Sequence, residues 1–190
     1  MEHRNSHHRS LRLQGYDYSQ TGAYFVTICT QDKACRFGYI ENDMVVLNEC
    51  GCAVRDEWLK TAETRAEIQM GEFVVMPNHF HGIVIIDSGA ADDRRGMERR
   101  AGAETKALHV PTIERFGKPV SGSLPTIIRA FKSAVTKRIN EIRQSPGVPV
   151  WQRNYYEHVI RNGDDYGKIA EYIADNPRRW AEDTLHPNVG

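Results

Sequence analysis

The chain has 190 residues, with 25 basic and 25 acidic side chains, so its formal net charge is zero. Hydrophobic residues make up 40% and the mean hydropathy is −0.57, as in ordinary soluble domains. No apolar run approaches the ~20 residues that span a bilayer, and the first twelve residues lack the apolar core of a secretory signal. We therefore expect one cytoplasmic domain over residues 1–190, without a membrane partner.

The net charge of zero is a cancellation between two segments of opposite sign. Residues 41–72 hold eight acidic and three basic side chains, whereas residues 127–161 hold seven basic and two acidic ones. Residues 1–15 form a basic N-terminal tail with three arginines. Because binding depends on local charge and not on the total, nucleic acid stays open as a partner.

The first half of the chain predicts strands, a hairpin and one helix. Five segments have the β-branched and aromatic composition or the alternation of strands: residues 23–30, 36–40, 44–47, 67–76 and 79–87. Turn-forming residues, Glu41-Asn42-Asp43, join the second and third of them. Asn48 is the predicted N-cap of a helix that runs to about Thr64.

The second half of the chain begins with a stretch of different composition. Residues 88–122 hold five glycines and few large apolar residues, which predicts a flexible insertion. Apolar residues at helical spacing then predict a helix over residues 124–143. A last strand over 155–160 and a last helix over 164–176, ended by Pro177, complete the pattern.

This order of elements predicts an α+β fold. Strands and helices alternate around antiparallel hairpins, which favours a two-layer sandwich. The simplest closed arrangement is ferredoxin-like (RRM-like), with an antiparallel β-sheet and the helices on one face.

Two histidines on one predicted strand are the sharpest local feature. His79 and His81 project to one side and Phe80 to the other, because side chains alternate along a strand. Two imidazoles about 7 Å apart along a strand can converge on one cation. The same tripeptide also occurs on ordinary surface strands, but here it lies between apolar runs.

Two further pairs invite a chemical interpretation. Tyr172 and Asn176 are four residues apart and share a helix face, as a nucleophile and a carbonyl ligand or simply as a packed Tyr and a helix-end Asn. Cys50 and Cys52 could join the histidines around zinc, but Cys-x-Cys is tighter than the usual zinc spacing. Ordinary thiols are the simpler interpretation.

Aromatic and basic residues interleave in the segment WQRNYYEHVIR, residues 151–161. Unpaired bases stack on such rings while arginines contact phosphates. The same residues are also common in a core or at its rim.

Together these segments resemble the REP-associated tyrosine transposases, a branch of the single-tyrosine HUH transposases. The resemblance spans most of the chain: LRLQGYDYSQTGAYFVTICT, FVVMPNHFHGIVII, FKSAVTKRIN, VWQRNYYEHVIRN and IAEYIADNP. The combination of MPNHFHG with WQRNYYEHVIR and YIxxNP is specific. The long polar stretch at residues 88–122 departs from the family pattern and leaves the DNA-contacting surface there in doubt.

The resemblance implies roles for four residues. His79 and His81 match the family's metal-binding histidines, Tyr172 matches its nucleophile, and Asn176 matches the amide that completes the metal site. Other tyrosines compete for the role of nucleophile: Tyr155, Tyr156 and Tyr166.

The implied activity is metal-dependent cleavage and rejoining of single-stranded DNA at hairpin-forming repeats, through a 5′-phosphotyrosine. The cofactor would be Mg²⁺ or Mn²⁺, the partner single-stranded or hairpin DNA, and the location the nucleoid within the cytoplasm. The residues expected to contact DNA are Arg129, Lys132, Lys137, Arg138, Trp151, Arg153, Tyr155 and Arg161. Both a monomer and a homodimer stay open.

Two other hypotheses belong to different classes. A catalytically inactive DNA-hairpin-binding module would bind without cleaving and without a metal. A zinc-binding regulator would use Cys50, Cys52 and the histidine pair.

Overall fold

The computed structural model describes residues 16–87 and 120–187. Four of its strands, in which apolar side chains alternate, form one antiparallel sheet. The strands are β1 (Gly22–Cys29), β2 (Gly38–Glu41), β3 (Met44–Leu47), β4 (Ile68–Val75), β5 (His79–Ile86) and β6 (Tyr156–Ile160). The helices are α1 (Glu49–Glu63), α2 (Leu124–Ile142) and α3 (Gly163–Asp175), with 3₁₀ turns at Gln31–Lys33 and Trp180–Glu182. The predicted tail, residues 1–15, and residues 88–119 of the predicted insertion lie outside the described residues.

The strand order of the main sheet is β4-β5-β1-β6. Strand β1 is central and pairs antiparallel with β5 on one side and β6 on the other. Thr27 lies opposite His81 in one pairing and opposite Tyr156 in the other. With α1 and α2 as the crossovers, this order is the split βαβ arrangement, so the predicted ferredoxin-like class is confirmed.

The two faces of the sheet are covered by different helices. On one face, β1 and β5 pack Tyr24 and Phe80 into a core with Trp58 of α1 and Phe131 of α2. On the other face, α3 contributes Ile173 to a smaller cluster with Phe25, Ile83 and Ile160. The prediction placed the helices on one face, and α3 differs because β1 and β5 carry large apolar side chains on both faces, so each face needs cover.

The hairpin β2–β3 and the helix starts follow local chemistry. Asn42 and Asp43 have φ angles of 49° and 60°, as a two-residue hairpin turn requires. The Asn48 side chain accepts a hydrogen bond from Gly51 N at 3.0 Å and caps α1 as predicted. Asn162 caps α3 in the same way. None of the described helices is both long enough and apolar enough to cross a bilayer.

We expect Gly82→Ala to destabilise the protein by about 1–3 kcal/mol, because the added methyl group overpacks the core. A Cβ at this position in β5 would lie 2.7 Å from Trp58 Cζ2 and 2.8 Å from the Phe80 ring. Urea unfolding of the full chain measures the change. Gly167→Ala is the control: its Cβ would meet no atom within 4 Å in α3, and the helix should gain up to about 1 kcal/mol. Equal stability of the Gly82→Ala variant and the parent would contradict the packing described here.

Candidate functional site

The two histidines of β5 lie on the face that α3 covers. His79 and His81 are almost completely buried, with exposed fractions of 0% and 2%. Their ring centroids are 4.5 Å apart. Phe80 points into the opposite core, so the alternation expected from the sequence holds. The imidazoles therefore converge in the interior and not on a solvated strand.

Hydrogen bonds hold both imidazoles by the nitrogen that points away from the site. His79 Nδ1 lies 2.8 Å from Asn78 Oδ1, and His81 Nδ1 lies 2.8 Å from Thr27 Oγ1. Asn78 is oriented by its own Nδ2, which donates to the carbonyls of Lys33 and Leu185. Because Asn78 Oδ1 can only accept, His79 donates from Nδ1 and its Nε2 carries a lone pair. Metal-binding histidines are oriented in this way by outer partners.

Burial keeps both imidazoles neutral. It lowers the pKa of His79 to about 4, although the Asp183 carboxylate and the Asn176 side chain act in the opposite direction. It also lowers the pKa of His81 well below the usual 6.5, and the neighbouring His79 adds to the effect. Neutral imidazole is the form that binds metals.

Helix α3 brings Tyr172 to this pair. The Tyr172 hydroxyl lies 3.4 Å from His81 Nε2, and the side chain stays 40% exposed. Partial burial of the side chain raises the pKa of Tyr172 above its usual 10.0, and the Asp183 carboxylate adds to the rise. The Asn176 side chain and Arg179 oppose it. The ring meets Phe25 edge-on, so the hydroxyl is held between the buried site and the solvent.

Two oxygens complete the cluster. Asn176, at the end of α3, is 3% exposed, and its side chain acts on the pKa of both His79 and Tyr172. Asp183 follows the turn at Trp180–Glu182, and its Oδ2 lies 3.6 Å from His79 Nε2. One ligand atom from each of His79, His81 and Asp183 lies within 4.8 Å of the others.

The atoms of this cluster that could act as metal ligands fit a divalent cation. Three of them are buried side-chain atoms without a hydrogen-bond partner among the described residues: His79 Nε2, Asn176 Oδ1 and Asp183 Oδ2. Such an atom costs about 1–3 kcal/mol, so native interiors hold few of them. Buried nitrogen and oxygen lone pairs without hydrogen-bond partners suit Mn²⁺ or a related ion.

Asp183 is the member of this cluster that the sequence interpretation missed. It lies seven residues after Asn176, beyond Pro177 and outside any predicted element. No periodicity links it to the histidines. The available signal was an acidic residue shortly after the proposed site helix, which is too common to be selective.

The other candidate nucleophiles differ in position: Tyr166 and Tyr155 lie against other partners, whereas Tyr156 lies on the same sheet face as the histidine pair, in register with Thr27. The Tyr166 hydroxyl donates to Glu72 Oε2 at 2.6 Å. Tyr156 is 47% exposed with its ring 6.4 Å from Phe25, and Tyr155 is half-buried against the larger core. Tyr172 is therefore the tyrosine whose hydroxyl the fold brings to the histidines.

The zinc hypothesis is wrong for the part of the chain that the structure describes. Cys50 packs in the larger core, on the face of the sheet opposite the histidines. The group able to hold a metal in residues 16–87 and 120–187 contains neither Cys50 nor Cys52. The cysteines are ordinary thiols.

Four of the residues expected to contact DNA line one groove. Lys132, Lys137, Trp151 and Arg153 lie where α2 meets the segment before β6. Thr30, at the His79 end of β1, forms a bridge with Trp151. The groove therefore opens at the end of the sheet that carries the histidine pair.

Two members of this groove also have structural roles. Lys132 Nζ donates to the carbonyls of Gln152 and Arg153, and burial lowers its pKa to about 8. Trp151 is 6% exposed and packs against Phe37. Lys137 and Arg153 are exposed.

The remaining basic residues are dispersed. Arg138 pairs with Asp56 and Glu57 of α1. Arg161 follows the far end of β6, about 15 Å along the sheet from the level of His81. Arg129 is exposed on α2. The fold thus separates residues that the sequence presents as one basic segment.

Comparison with known proteins supports this description of the fold. No protein-family model matches the chain. A solved structure of a REP-associated tyrosine transposase bound to a REP hairpin superposes with a TM-score of 0.52 at 20% identity, over 85% of this chain and 70% of that one. A candidate transposase of Deinococcus radiodurans is more distant, with a TM-score of 0.42 at 15% identity over 86% of this chain and 97% of that one.

A curated relative is much closer in sequence. An uncharacterized protein of Haemophilus influenzae is 38% identical over 180 residues, which cover 95% of this chain and 93% of the relative. The chain therefore belongs to the family of this Haemophilus influenzae protein, and its fold is that of a REP-associated tyrosine transposase.

Proposed function

We propose that this protein is a metal-dependent single-strand DNA endonuclease and strand transferase, a transposase of the HUH type. Tyr172 is the nucleophile, and His79, His81 and Asn176 hold the cation. The observation that carries the proposal is the Tyr172 hydroxyl, 3.4 Å from His81 Nε2 at the edge of a cluster of buried, unpartnered donor atoms. Binding alone would not require this cluster.

The chain itself must overcome the weak nucleophilicity of a phenol. At pH 7 a tyrosine with a pKa of 10 is phenolate about once in a thousand molecules, a deficit of about 4 kcal/mol. The raised pKa of Tyr172 increases this deficit, so the hydroxyl must lose its proton during the reaction. A divalent cation bound here supplies polarisation of the scissile phosphate and stabilisation of the leaving oxygen.

The reaction is an exchange of phosphodiester bonds. The Tyr172 oxygen bonds to phosphorus and loses its proton, while the bond from phosphorus to the 3′-oxygen breaks and that oxygen takes up a proton. The products are a 5′-phosphotyrosine and a free 3′-hydroxyl, which can reverse the step and rejoin the strand. A water nucleophile would only hydrolyse the DNA.

The ligand set favours Mg²⁺ or Mn²⁺ with a preference for Mn²⁺. Two imidazole nitrogens suit Mn²⁺ better than Mg²⁺, which prefers oxygen ligands. Because Tyr172 and the histidines come from the same chain, one chain holds a complete site. The proposal therefore places a complete site in each monomer, and a homodimer stays open.

The DNA partner is expected at the groove beside the site. Lys137 and Arg153 are exposed there, and single-stranded or hairpin DNA is the polyanion that this activity needs. The acidic segment at residues 41–72 offsets the basic segment, and the total charge of zero limits indiscriminate binding. An enzyme acting on DNA would work in the cytoplasm at the nucleoid.

Tyr172→Phe should abolish the covalent adduct with an end-labelled hairpin oligonucleotide. Loss of a nucleophile lowers such rates by at least about 10³-fold, whereas the retained ring keeps the Phe25 contact. The adduct is measured on a denaturing gel with Mn²⁺. Tyr166→Phe, which loses only the bond to Glu72, is the matched control and should form the adduct. A persistent adduct in the Tyr172→Phe variant would refute the assignment.

Removal of the metal should stop cleavage and leave hairpin binding in place. Chelation is expected to abolish the adduct, and added Mn²⁺ to restore it. His81→Gln should lower the cleavage rate by about 10–100-fold or more, whereas His158→Gln, at the exposed pair with Asp165, should not. Cleavage that survives chelation would exclude the metal. Binding without any cleavage would favour the inactive hairpin-binding module instead.

Substitutions in the groove should change the salt dependence of hairpin binding. Lys137→Ala and Arg153→Ala are each expected to reduce the slope of log K against log salt by about one, as for the loss of one phosphate contact. Lys60→Ala, an exposed lysine on the acidic helix α1, is the matched control and should leave the slope unchanged. The groove is not the DNA surface if all three variants keep the parental slope.

A further inference from the structure

We propose that Asp183 is a further ligand of the cation site, so that metal binding fixes the segment after α3, residues 180–187, against β5. This inference rests on the proposed function and extends it. The ligand set becomes two imidazole nitrogens, one amide oxygen and one carboxylate oxygen.

The distance between Asp183 and His79 fits two ligands of one cation. In an octahedral site, two ligand atoms that are each about 2.1 Å from the ion lie about 3.0 Å apart when they are adjacent and about 4.2 Å apart when they are opposite. Asp183 Oδ2 lies 3.6 Å from His79 Nε2, too far for a hydrogen bond and within this range. His81 offers its ligand atom within 4.8 Å of both.

The two oxygens of Asp183 have different tasks. Oδ1 accepts a hydrogen bond from Leu185 N at 2.7 Å, which folds the segment back on itself. Oδ2 is buried without a hydrogen-bond partner among the described residues, and the whole side chain is 8% exposed. A buried carboxylate normally pairs with a cation or coordinates a metal. The unpartnered Oδ2 therefore indicates that a cation binds between Asp183 and the histidine pair.

Other contacts hold the same segment beside the site. Asn78 Nδ2 donates to Leu185 O at 2.7 Å, and the same side chain orients His79 through Oδ1. Lys33 Nζ reaches Thr184 O at 3.5 Å, and the Trp180 ring lies 6.0 Å from the His79 ring. A metal bond from Asp183 would add to the order of the segment.

The Asp183 carboxylate also supplies the negative charge that the other proposed ligands lack. His79, His81 and Asn176 are neutral ligands, whereas Mg²⁺ and Mn²⁺ sites in proteins normally include carboxylate oxygen. One negative charge at Asp183 would raise the affinity for a divalent cation. Four protein ligands would also leave positions on the cation open for phosphate oxygens.

The test is a Mn²⁺ titration of the full chain, with free Mn²⁺ measured by electron paramagnetic resonance. Asp183→Asn keeps the oxygen that accepts from Leu185 and removes the charge, and we expect the Kd for Mn²⁺ to rise at least about tenfold. Glu182→Gln removes the same charge from the neighbouring, exposed position, and its Kd should stay at the parental value. Asp183→Ser is the second variant if the asparagine variant is unstable.

A second measurement follows the segment itself. Mn²⁺ should slow amide hydrogen exchange in residues 180–187 of the parent and of Glu182→Gln, but not of Asp183→Asn. Equal Mn²⁺ affinity and equal slowing in Asp183→Asn and the parent would overturn this inference alone, provided that His81→Gln loses Mn²⁺. If the parent itself binds no Mn²⁺, the metal-dependent function falls as well.

Discussion

The burial of strand β5 on both faces is the constraint on which the rest of the structure depends. Phe80 anchors one face in the core formed with Trp58 and Phe131. The alternation of the strand then forces His79 and His81 to the other face, where α3 covers them. A strand with one solvated face would have left the same two imidazoles in water, hydrated and easily protonated.

Burial of this kind opposes stability and favours chemistry. Three buried atoms of the site lack hydrogen-bond partners: His79 Nε2, Asn176 Oδ1 and Asp183 Oδ2. They lower the free energy of unfolding relative to a fully apolar interior. The same atoms offer lone pairs to a cation, and Asn78 orients the His79 ring from behind, as Thr27 orients that of His81. Functional sites commonly retain such local costs because the surrounding fold is stable enough to carry them. In this protein the large core on the opposite face of the sheet, together with the smaller cluster under α3, carries them.

The acidic and basic segments, which are separate along the chain, meet in the folded protein. The acidic helix α1 and the basic helix α2 lie side by side, and Arg138 of α2 pairs with Asp56 and Glu57 of α1. This pairing neutralises part of the basic segment, while Lys137 and Arg153 stay exposed near the histidine end of the sheet. The net charge of zero thus hides a small basic surface at the end of the sheet that carries the histidine pair.

Local signals in the chain were enough to predict the strands, the helices, the Asn48 cap and the direction of the two histidines. Each of these depends on neighbours within a few residues, as the Asn48 cap and the alternation around Phe80 illustrate. The partners of Arg138, the burial of Trp151 and the face that α3 covers depend on packing between distant segments. Asp183 is the clearest example, because it reaches His79 across more than a hundred residues of chain through a turn that follows no periodic pattern. Periodicity reports which way a side chain points from its own element, and only the closed fold decides what it meets there.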